Sequence, residues 1–218
     1  RLAGRLAALV EHSFPVVLGG DCSILVGIGL ALHRAGRFGL VSLDGLDFRH
    51  PGNLTDAGVA VGGESLALVA GLGGALADLD GRRPYLRTED IVSMGVRPED
   101  ELAADAASRG LAIITSPEVD ADPAGVAARA LEVVDRPELD GFWVHVDADV
   151  VDPTLMPAVD SPEPGGLGFE SLVRAIRGLL TSPRAVGLDV TIYDPDLDPE
   201  FQAGHDLADA LVAAFDDG

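Results

Sequence analysis

The chain has 218 residues, 47% of them hydrophobic, and a formal net charge of −21. This length and apolar content suit one α/β domain that buries most of its core. All fifteen basic residues are arginine, and the acidic excess argues against nucleic acid or an anionic membrane as a partner, because their phosphates would be repelled. The charge is compatible with a cationic small substrate or bound metal ions, and also with a role in keeping the protein in solution.

Apolar runs alternate with helical patterns along the chain. Residues 1–12 have the pattern of the middle of a helix, and six short apolar runs predict strands at 14–20, 38–44, 90–97, 111–116, 142–149 and 185–193. Helical patterns, some beginning with proline or ending on glycine, follow these runs at 22–36, 63–76, 98–110, 123–136, 169–180 and 208–215. Glycines weaken the predicted helix at 63–76.

The predicted strands are apolar on both faces, which is typical of a parallel sheet covered by helices on both sides. Hairpin turns are scarce, and the sequence contains no repeat or interdomain linker. We therefore predict a three-layer α/β/α fold with a mostly parallel sheet, forming a single domain over residues 1–218. Because the chain starts in a helical pattern without an initiator Met, we expect this domain to lack an N-terminal strand.

Cys22 is the only cysteine, so the chain cannot form a disulfide within itself. This cysteine usage predicts a reducing, cytoplasmic location. The sequence also contains no apolar run long enough to cross a bilayer and no visible signal peptide, so we expect no contact with membranes.

Aspartates follow several predicted strands, at the edge of a parallel sheet where ligands bind. Residues i and i+2 of a strand face the same side, so Asp147 and Asp149 would repel each other unless a proton or a cation intervenes. Oxygen-rich clusters favour Mg²⁺, Ca²⁺ or Mn²⁺, and a pair of such ions can activate a shared water. We interpret this pair as metal ligands. Capping of helices and turns is the favoured role for four others: Asp21, Asp152, Asp194 and Asp198.

Residues 19–23 read GGDCS, residues 44–47 read DGLD and residues 145–153 read HVDADVVDP. They resemble GGDHS, D-A-H-x-D and S-x-D-x-D-x-x-D-P, which are motifs of the ureohydrolases, the family of arginase, agmatinase and formimidoylglutamase. Residues 94–97, 162–167 and 186–190 are similar to the family's I-G-x-R strand end, its PEPGGL stretch and its late strand. A lone GGD is weak, but matches in this order across residues 14–200 are specific.

The resemblance implies an arginase-like fold and metal-dependent hydrolysis of a linear guanidino or amidino C–N bond by a hydroxide that bridges two Mn²⁺ ions. It also implies a small cationic guanidino substrate and a homo-oligomer. Asp47 and Asp149 are the expected catalytic residues. The positions of metal ligands in the family correspond here to Asp44, Asp47, Asp147, Asp149 and Cys22.

Cys22 occupies the position of the family's first histidine ligand. A thiolate can bind a metal, but it is softer than imidazole and suits Zn²⁺ better than Mn²⁺. Zn²⁺ or a single ion is therefore an alternative to the manganese pair. The other interpretation of Cys22 is a small buried residue at the start of a helix.

The family's second histidine ligand has no counterpart, because Asp44 and Asp47 are one residue closer together than in the family motif. The difference is either a true deletion or a residue missing from the sequence. Strand residues three apart face opposite sides, so a bulge or turn must bring both carboxylates inward. His50 is a candidate substitute ligand, although an ordinary loop role is favoured for it.

Asp100 and Glu64 are candidate substrate-binding residues. Asp100 matches a position that contacts the substrate's amino end in arginases, and Glu64 lies where the family has its proton-shuttle histidine. For both, an acidic residue at a helix start is the alternative interpretation. Two further residues, His145 and Asp21, are candidates for orienting the metal ligands through hydrogen bonds without binding the metal themselves. A core histidine is an equally favoured role for His145.

The sequence therefore supports two functional hypotheses. The first is a manganese-dependent hydrolase of the ureohydrolase type. The second is a family member that has lost catalysis and keeps the fold for a binding or structural role. The second hypothesis is motivated by the missing histidine ligands, the missing shuttle histidine, and the missing glutamate that orients the guanidinium after Asp189 in the family.

Overall fold

A computed structural model describes residues 1–10, 12–53 and 60–216 of the chain. Its strands are Val16–Leu18 (β1), Phe38–Leu43 (β2), Ile91–Val96 (β3), Ala112–Thr115 (β4), Gly141–Asp147 (β5) and Ala185–Thr191 (β6). They form one sheet in the order β1-β6-β5-β2-β3-β4. Every neighbouring pair is parallel, which confirms the predicted sheet.

Helices cover both faces of this sheet. They are Leu2–Leu9 (α1), Ile24–Ala35 (α2), Ser65–Val69 (α3), Ala103–Ser108 (α4), Ser116–Ala121 (α5), Pro123–Val134 (α6), Phe169–Leu180 (α7) and Gln202–Phe215 (α8). Helices α1–α4 pack on one face and α5–α8 on the other, so the predicted three layers are confirmed. Within the described residues, no helix has both the length and the apolarity needed to cross a membrane.

The central strands are buried along their whole length because each face lies under a helical layer. Every residue of β2, β3 and β5 is buried. Their side chains alternate, so Leu40 and Trp143 pack under α1–α4 while Val41 and Val144 pack under α5–α8. Burial of each such side chain contributes roughly 1.5–3 kcal/mol. This packing fixes the strand register, and the register in turn positions the residues at the carboxyl edge.

Several boundaries differ from the sequence predictions. The helix predicted at 63–76 is confined to α3, because Gly71 adopts a φ of +82° soon after it. The helix predicted at 98–110 is confined to α4. Helix α5 was not predicted: the side chains of Thr115 and Glu118 form a reciprocal capping box there, directly after β4. Helix α8 begins at Gln202 rather than at residue 208.

Candidate metal centre

The strand register brings the predicted site residues together at the carboxyl edge of the sheet. On β5, His145 pairs with Asp189 and Asp147 pairs with Thr191 of β6. On the other side of β5, Leu43 pairs with Val146, so the residue after Leu43 lies beside Asp147. Beyond the end of β1, the chain stays hydrogen-bonded to β6, since the Gly19 amide donates to the Val190 carbonyl at 2.9 Å. These pairings converge on one small region.

Asp44, Asp47 and Asp147 form a carboxylate cluster in that region. Each offers a carboxylate oxygen, and these oxygens all lie within 4.8 Å of one another. Asp44 and Asp147 are each only 2% exposed. Asp44 Oδ2 accepts no hydrogen bond from any described residue. Buried acceptors without donors, placed beside other carboxylates, favour a bound cation.

The electrostatics of the carboxylate cluster agree with its geometry. Burial, followed by repulsion from neighbouring carboxylates, raises the pKa of Asp44 and that of Asp147 well above the usual range for aspartate. The same causes raise the pKa of Asp47 to about 7, against the opposing hydrogen bond from Ser65. A metal-free cluster therefore holds protons near neutral pH, and a bound cation would displace them.

A turn brings Asp44 and Asp47 to the same side despite their spacing of three residues. The regular strand ends at Leu43, and the Phe48 amide donates to the Leu46 carbonyl at 2.8 Å in a tight turn. Helix α3 then holds Asp47, whose Oδ2 accepts a hydrogen bond from Ser65 Oγ at 3.2 Å. The structure thus contains the turn that this spacing required.

Cys22, His145 and Asp147 form a second group, the Cys–His–Asp cluster. Their ligand atoms also lie within 4.8 Å of one another, and all three residues are buried. Cys22 Sγ donates to Asp147 Oδ2 at 2.7 Å and lies 3.1 Å from Thr191 Oγ1. Burial, then the charges of the nearby carboxylates, raise the pKa of the Cys22 thiol, which is therefore neutral without a metal.

Asp189 holds His145 from behind. Its Oδ2 lies 2.7 Å from His145 Nδ1, and its Oδ1 accepts a hydrogen bond from Trp143 Nε1 at 2.6 Å. Burial lowers the pKa of His145, but Asp189 and the other carboxylates outweigh it and raise the pKa overall. Sequence reasoning missed this network. Two sequence features could have indicated it. Trp143, His145 and Asp147 alternate along one side of β5, and Asp189 is the acidic residue in the otherwise apolar run that forms β6.

Asp149 lies beyond the end of β5. The strand stops at Asp147, and Ala148–Val150 form a 3-10 turn in which the Asp149 amide donates to Asp147 Oδ1 at 2.8 Å. The prediction that both carboxylates belong to one strand face is therefore wrong, because the strand ends two residues earlier than predicted. Asp149 Oδ1 is buried without a hydrogen-bond donor among the described residues, and the residue lines the cavity above the clusters. Its role as a metal ligand stays a prediction.

Arg97 holds this turn in place. Its Nη2 donates to the carbonyl of Asp149 at 2.7 Å and to that of Glu163 at 3.0 Å. Gly95, two residues earlier, has a φ of +98°, and a Cβ there would meet Val150 Cγ2 at 2.4 Å. A side chain at this position would therefore push the turn away from β3.

A cavity of about 820 Å³ opens above the clusters. Arg49 and Arg97 line it, but acidic residues dominate. They are Asp21, Asp44, Asp47, Glu99, Asp100, Glu101, Asp147, Asp149, Asp160 and Glu163. A cavity with this lining favours cationic ligands over anionic ones.

Three further predicted residues lie in or beside this cavity. Asp100 lines it, but its Oδ1 also accepts a hydrogen bond from the Leu102 amide at 2.7 Å, as a cap would; burial raises its pKa. Asp21 lines it as well, and its Oδ1 accepts from the Ser23 amide at 3.2 Å. Glu64 follows the lining residue Gly63 but does not itself line the cavity as described.

His50 does not join either cluster in the described part of the chain. Its Nε2 lies 2.8 Å from Asp105 Oδ2, and its Nδ1 accepts a hydrogen bond from the Gly52 amide at 3.0 Å. Both ring nitrogens are thus engaged, one by helix α4 and the other within the loop. This arrangement agrees with the loop role favoured from the sequence and leaves no nitrogen for a metal.

The fold and the two clusters define a parallel α/β protein with groups of potential metal ligands at the carboxyl edge of its sheet. The sequence model of the arginase family matches residues 1–215, and the chain belongs to this family. The arginase of Bacillus caldovelox is 30% identical over 203 residues, which cover 91% of this chain and 67% of that protein. The arginase of Bacillus subtilis is 28% identical over 215 residues, covering 94% and 70% of the two chains.

Solved structures and shorter matches agree with this assignment. The crystal structure of the Bacillus caldovelox arginase superposes with a TM-score of 0.88 at 26% identity, covering 100% of this chain and 74% of the other. Formimidoylglutamase from Bacillus subtilis, at 23% identity and a TM-score of 0.79, shares the fold; the match covers 98% of this chain and 64% of that one. An N(1)-aminopropylagmatine ureohydrolase from Thermus thermophilus is 33% identical over 54 residues only, 25% of this chain and 18% of that protein.

The donor atoms of the site fit a divalent metal. The carboxylate cluster offers hard oxygen ligands and the unpartnered Asp44 Oδ2, which suit Mn²⁺. The Cys–His–Asp cluster offers sulfur, nitrogen and oxygen. Asp147 belongs to both clusters. Asp147 could therefore help to hold an ion in either cluster.

Proposed function

We propose that this chain is a metal-dependent hydrolase that cleaves the C–N bond of a linear guanidino or amidino compound, in the manner of an arginase or agmatinase. One observation carries the proposal. Two groups of potential metal ligands share Asp147 at the base of an acid-lined cavity, in a chain of the arginase family.

Asp44, Asp47, Asp147, Asp149 and Cys22 would hold two Mn²⁺ ions; Zn²⁺ or one ion is the alternative. A bound pair supplies a water molecule that is acidic enough to act as a nucleophile near neutral pH. Asp44 Oδ2 supports this assignment, because it is buried without a hydrogen-bond donor among the described residues and a bound ion would give it a partner. Asp149 Oδ1 is likewise buried without a donor among the described residues.

The cavity acids would bind and orient the cationic substrate. Asp100, half-buried on the wall, and the nearby Asp160 and Glu163 attract a guanidinium or amine. Water adds its oxygen to the guanidinium carbon, and the bond from that carbon to the substituted nitrogen breaks. The released nitrogen takes up a proton and leaves as an amine, and urea is the second product. Asp47 and Asp149 are the proposed carriers of the transferred proton, since both line the cavity in which the substrate would bind.

Urea release tests this proposal. The full chain, loaded with Mn²⁺, would be assayed with arginine, agmatine and other guanidino compounds while bound metal is counted. We expect turnover of at least one substrate and loss of it in Asp147→Asn. Asp209→Asn, on the exposed side of α8, is the matched control and should keep full activity. Absence of both turnover and bound metal would refute the proposal.

The second candidate is an arginase-family protein that keeps the fold for a binding or structural role. Leu46 lies between Asp44 and Asp47, where no imidazole is available, and Ile192 lines the cavity after Asp189 in place of an acid. Saturable binding of a guanidino compound without urea release would favour this candidate. We also expect a homo-oligomer under either candidate, which light scattering coupled to gel filtration would measure.

A further inference from the structure

His145 presents an unpartnered nitrogen in the interior of the protein. The residue is 0% exposed, and its Nε2 has no hydrogen-bond partner among the described residues. Leaving such a nitrogen unsatisfied in the interior is unfavourable. Its other nitrogen, Nδ1, is held by Asp189 at 2.7 Å, so the ring orientation is fixed. The free nitrogen is therefore positioned for a ligand.

The carboxylate behind the ring is the arrangement that metal-binding histidines have in proteins. A histidine ligand nearly always engages a carboxylate or carbonyl through its second nitrogen, which fixes the tautomer and makes the imidazole a better donor. Asp189 is 0% exposed, and Trp143 holds its other oxygen at 2.6 Å. Trp143 thus orients Asp189, and Asp189 orients His145.

The remaining donors of the Cys–His–Asp cluster complete a mixed ligand set. Cys22 Sγ, one atom of His145 and one carboxylate oxygen of Asp147 lie within 4.8 Å of one another. Donors on a tetrahedral zinc lie roughly 3.3–3.8 Å apart, given Zn–S near 2.3 Å and Zn–N near 2.0 Å. The three donors are therefore close enough to one another to be candidates for binding one ion.

We propose that Cys22, His145 and Asp147 form a Zn²⁺ site in which His145 supplies the imidazole that is absent between Asp44 and Asp47. The inference rests on the proposed function in taking Asp147 as a metal ligand. Thiolate and imidazole prefer Zn²⁺ to Mn²⁺, whereas carboxylates suit Mn²⁺. The centre would therefore be asymmetric, with Zn²⁺ in the Cys–His–Asp cluster and Mn²⁺ in the carboxylate cluster.

Cobalt spectroscopy of the wild-type chain tests the proposal directly. Co²⁺ substitutes for Zn²⁺ and gives a thiolate-to-metal charge-transfer band in the near ultraviolet only when sulfur is a ligand. Because Cys22 is the only cysteine, the band reports on this residue alone. We expect the band to grow to one equivalent of Co²⁺ and to be abolished by one equivalent of Zn²⁺ but not by Mn²⁺. A cobalt complex without the band would overturn the proposal.

Three variants separate ligation from general structural effects. His145→Asn should weaken Zn²⁺ binding by at least 100-fold, and Asp189→Asn by about 10–100-fold, as for carboxylates that support ligands. His205→Asn is the matched control, since this histidine is exposed on α8. Unchanged Zn²⁺ affinity in a folded His145→Asn protein would contradict the assignment. If that variant does not fold, the wild-type cobalt spectrum still decides the question.

The outcomes distinguish this proposal from the hydrolase proposal. Urea release with Mn²⁺ but no charge-transfer band would overturn the zinc site alone. A charge-transfer band without urea release from any guanidino compound would overturn the hydrolase function alone. Metal counted in the purified full chain gives a third measure, with one Zn²⁺ retained through dialysis as the expected result.

Discussion

At the scale of single residues, Asp147 is the member that the two clusters have in common. Its Oδ1 accepts the Asp149 amide at 2.8 Å, and its Oδ2 accepts the Cys22 thiol at 2.7 Å. It also lies beside Asp44 and Asp47 in the carboxylate cluster. A single carboxylate thereby links the turn after β5, the start of α2 and the turn after β2. Its charge destabilises the metal-free protein and is needed for the metal-bound one.

Asp147→Asn should therefore have opposite effects on stability and on metal binding. In the metal-free protein, the three buried carboxylates must either repel one another or take up protons, and both are unfavourable. Removing one of them should therefore raise the Tm of the metal-free protein, by about 2–4 °C for each kcal/mol of relieved cost. Bound metal should fall to near zero. Calorimetry and metal counting would measure the two effects. A lower Tm in a metal-free, folded variant would show that repulsion is not the dominant interaction.

The stability of the metal-free protein should fall as pH rises through neutrality. The pKa of Asp47 rises from 3.8 to about 7 on folding, so between these values the native state binds more protons than the unfolded state. Unfolding free energy then decreases with increasing pH across that window, and Asp44 and Asp147 act in the same direction. Denaturant titrations at pH 5 and pH 8 would measure the difference. Saturating Mn²⁺ should stabilise the protein more at pH 8 than at pH 5, because the carboxylates are then free of protons.

At the scale of elements, the contact between β5 and β6 holds the site together. The two strands place His145 beside Asp189 and Asp147 beside Thr191. Gly187 lies beside Trp143 in the same register. A Cβ at Gly187 would come within 2.2 Å of the Trp143 ring, so only glycine allows the indole to lie across β6 and reach Asp189.

Gly187→Ala should destabilise the fold and loosen the site together. Overpacking of this kind costs roughly 1–3 kcal/mol. Displacement of Trp143 would also release one oxygen of Asp189, so Zn²⁺ affinity should fall alongside the Tm. Gly4→Ala is the matched control. No atom lies within 4 Å of its added Cβ, and helix α1 should gain about 0.5–1 kcal/mol from the alanine. Equal Tm values for the two variants would contradict the packing argument.

At the scale of the whole molecule, charge is the dominant property. The net charge is −21, and the charged residues that line the cavity above the two clusters are mostly acidic. A field of one sign, concentrated in a cleft, raises the local concentration of ligands of the opposite sign. A substrate with a second cationic group would benefit most, whereas a substrate carrying a carboxylate would meet repulsion.

The rate for cationic guanidino substrates should therefore depend on salt. We expect kcat/KM to fall several-fold between about 10 mM and 150 mM NaCl, as the Debye length shortens from roughly 30 Å to 8 Å. The loss should appear mainly in KM, because screening weakens attraction of the substrate rather than the chemical step. An uncharged analogue serves as the control. A kcat/KM for the cationic substrate that does not change with salt would contradict this role of the charge.

The sequence predicted the layers and the strands well, because apolar runs that form strands and glycines that end helices are local signals. It also predicted that Asp44, Asp47, Asp147 and Cys22 lie close together, through the rule that ligands bind at the carboxyl ends of parallel strands. Two features needed the structure: the end of β5 before Asp149 and the contact of Asp189 with His145. That contact depends on the register between β5 and β6, which are distant in sequence, and no local pattern specifies it.

Trp143 is the only tryptophan of the chain, and through Asp189 it is two hydrogen bonds from His145. The indole N–H donates to a buried carboxylate whose other oxygen holds the imidazole, so a change at that imidazole alters the electric field at the ring. The protein therefore contains an intrinsic fluorophore that is linked by hydrogen bonds to the Cys–His–Asp cluster. Emission at Trp143 should shift when Zn²⁺ enters the Cys–His–Asp cluster and respond far less when Mn²⁺ fills the carboxylate cluster. Tryptophan fluorescence would then follow metal binding to the Cys–His–Asp cluster in real time, without a label, and distinguish it from metal binding to the carboxylate cluster.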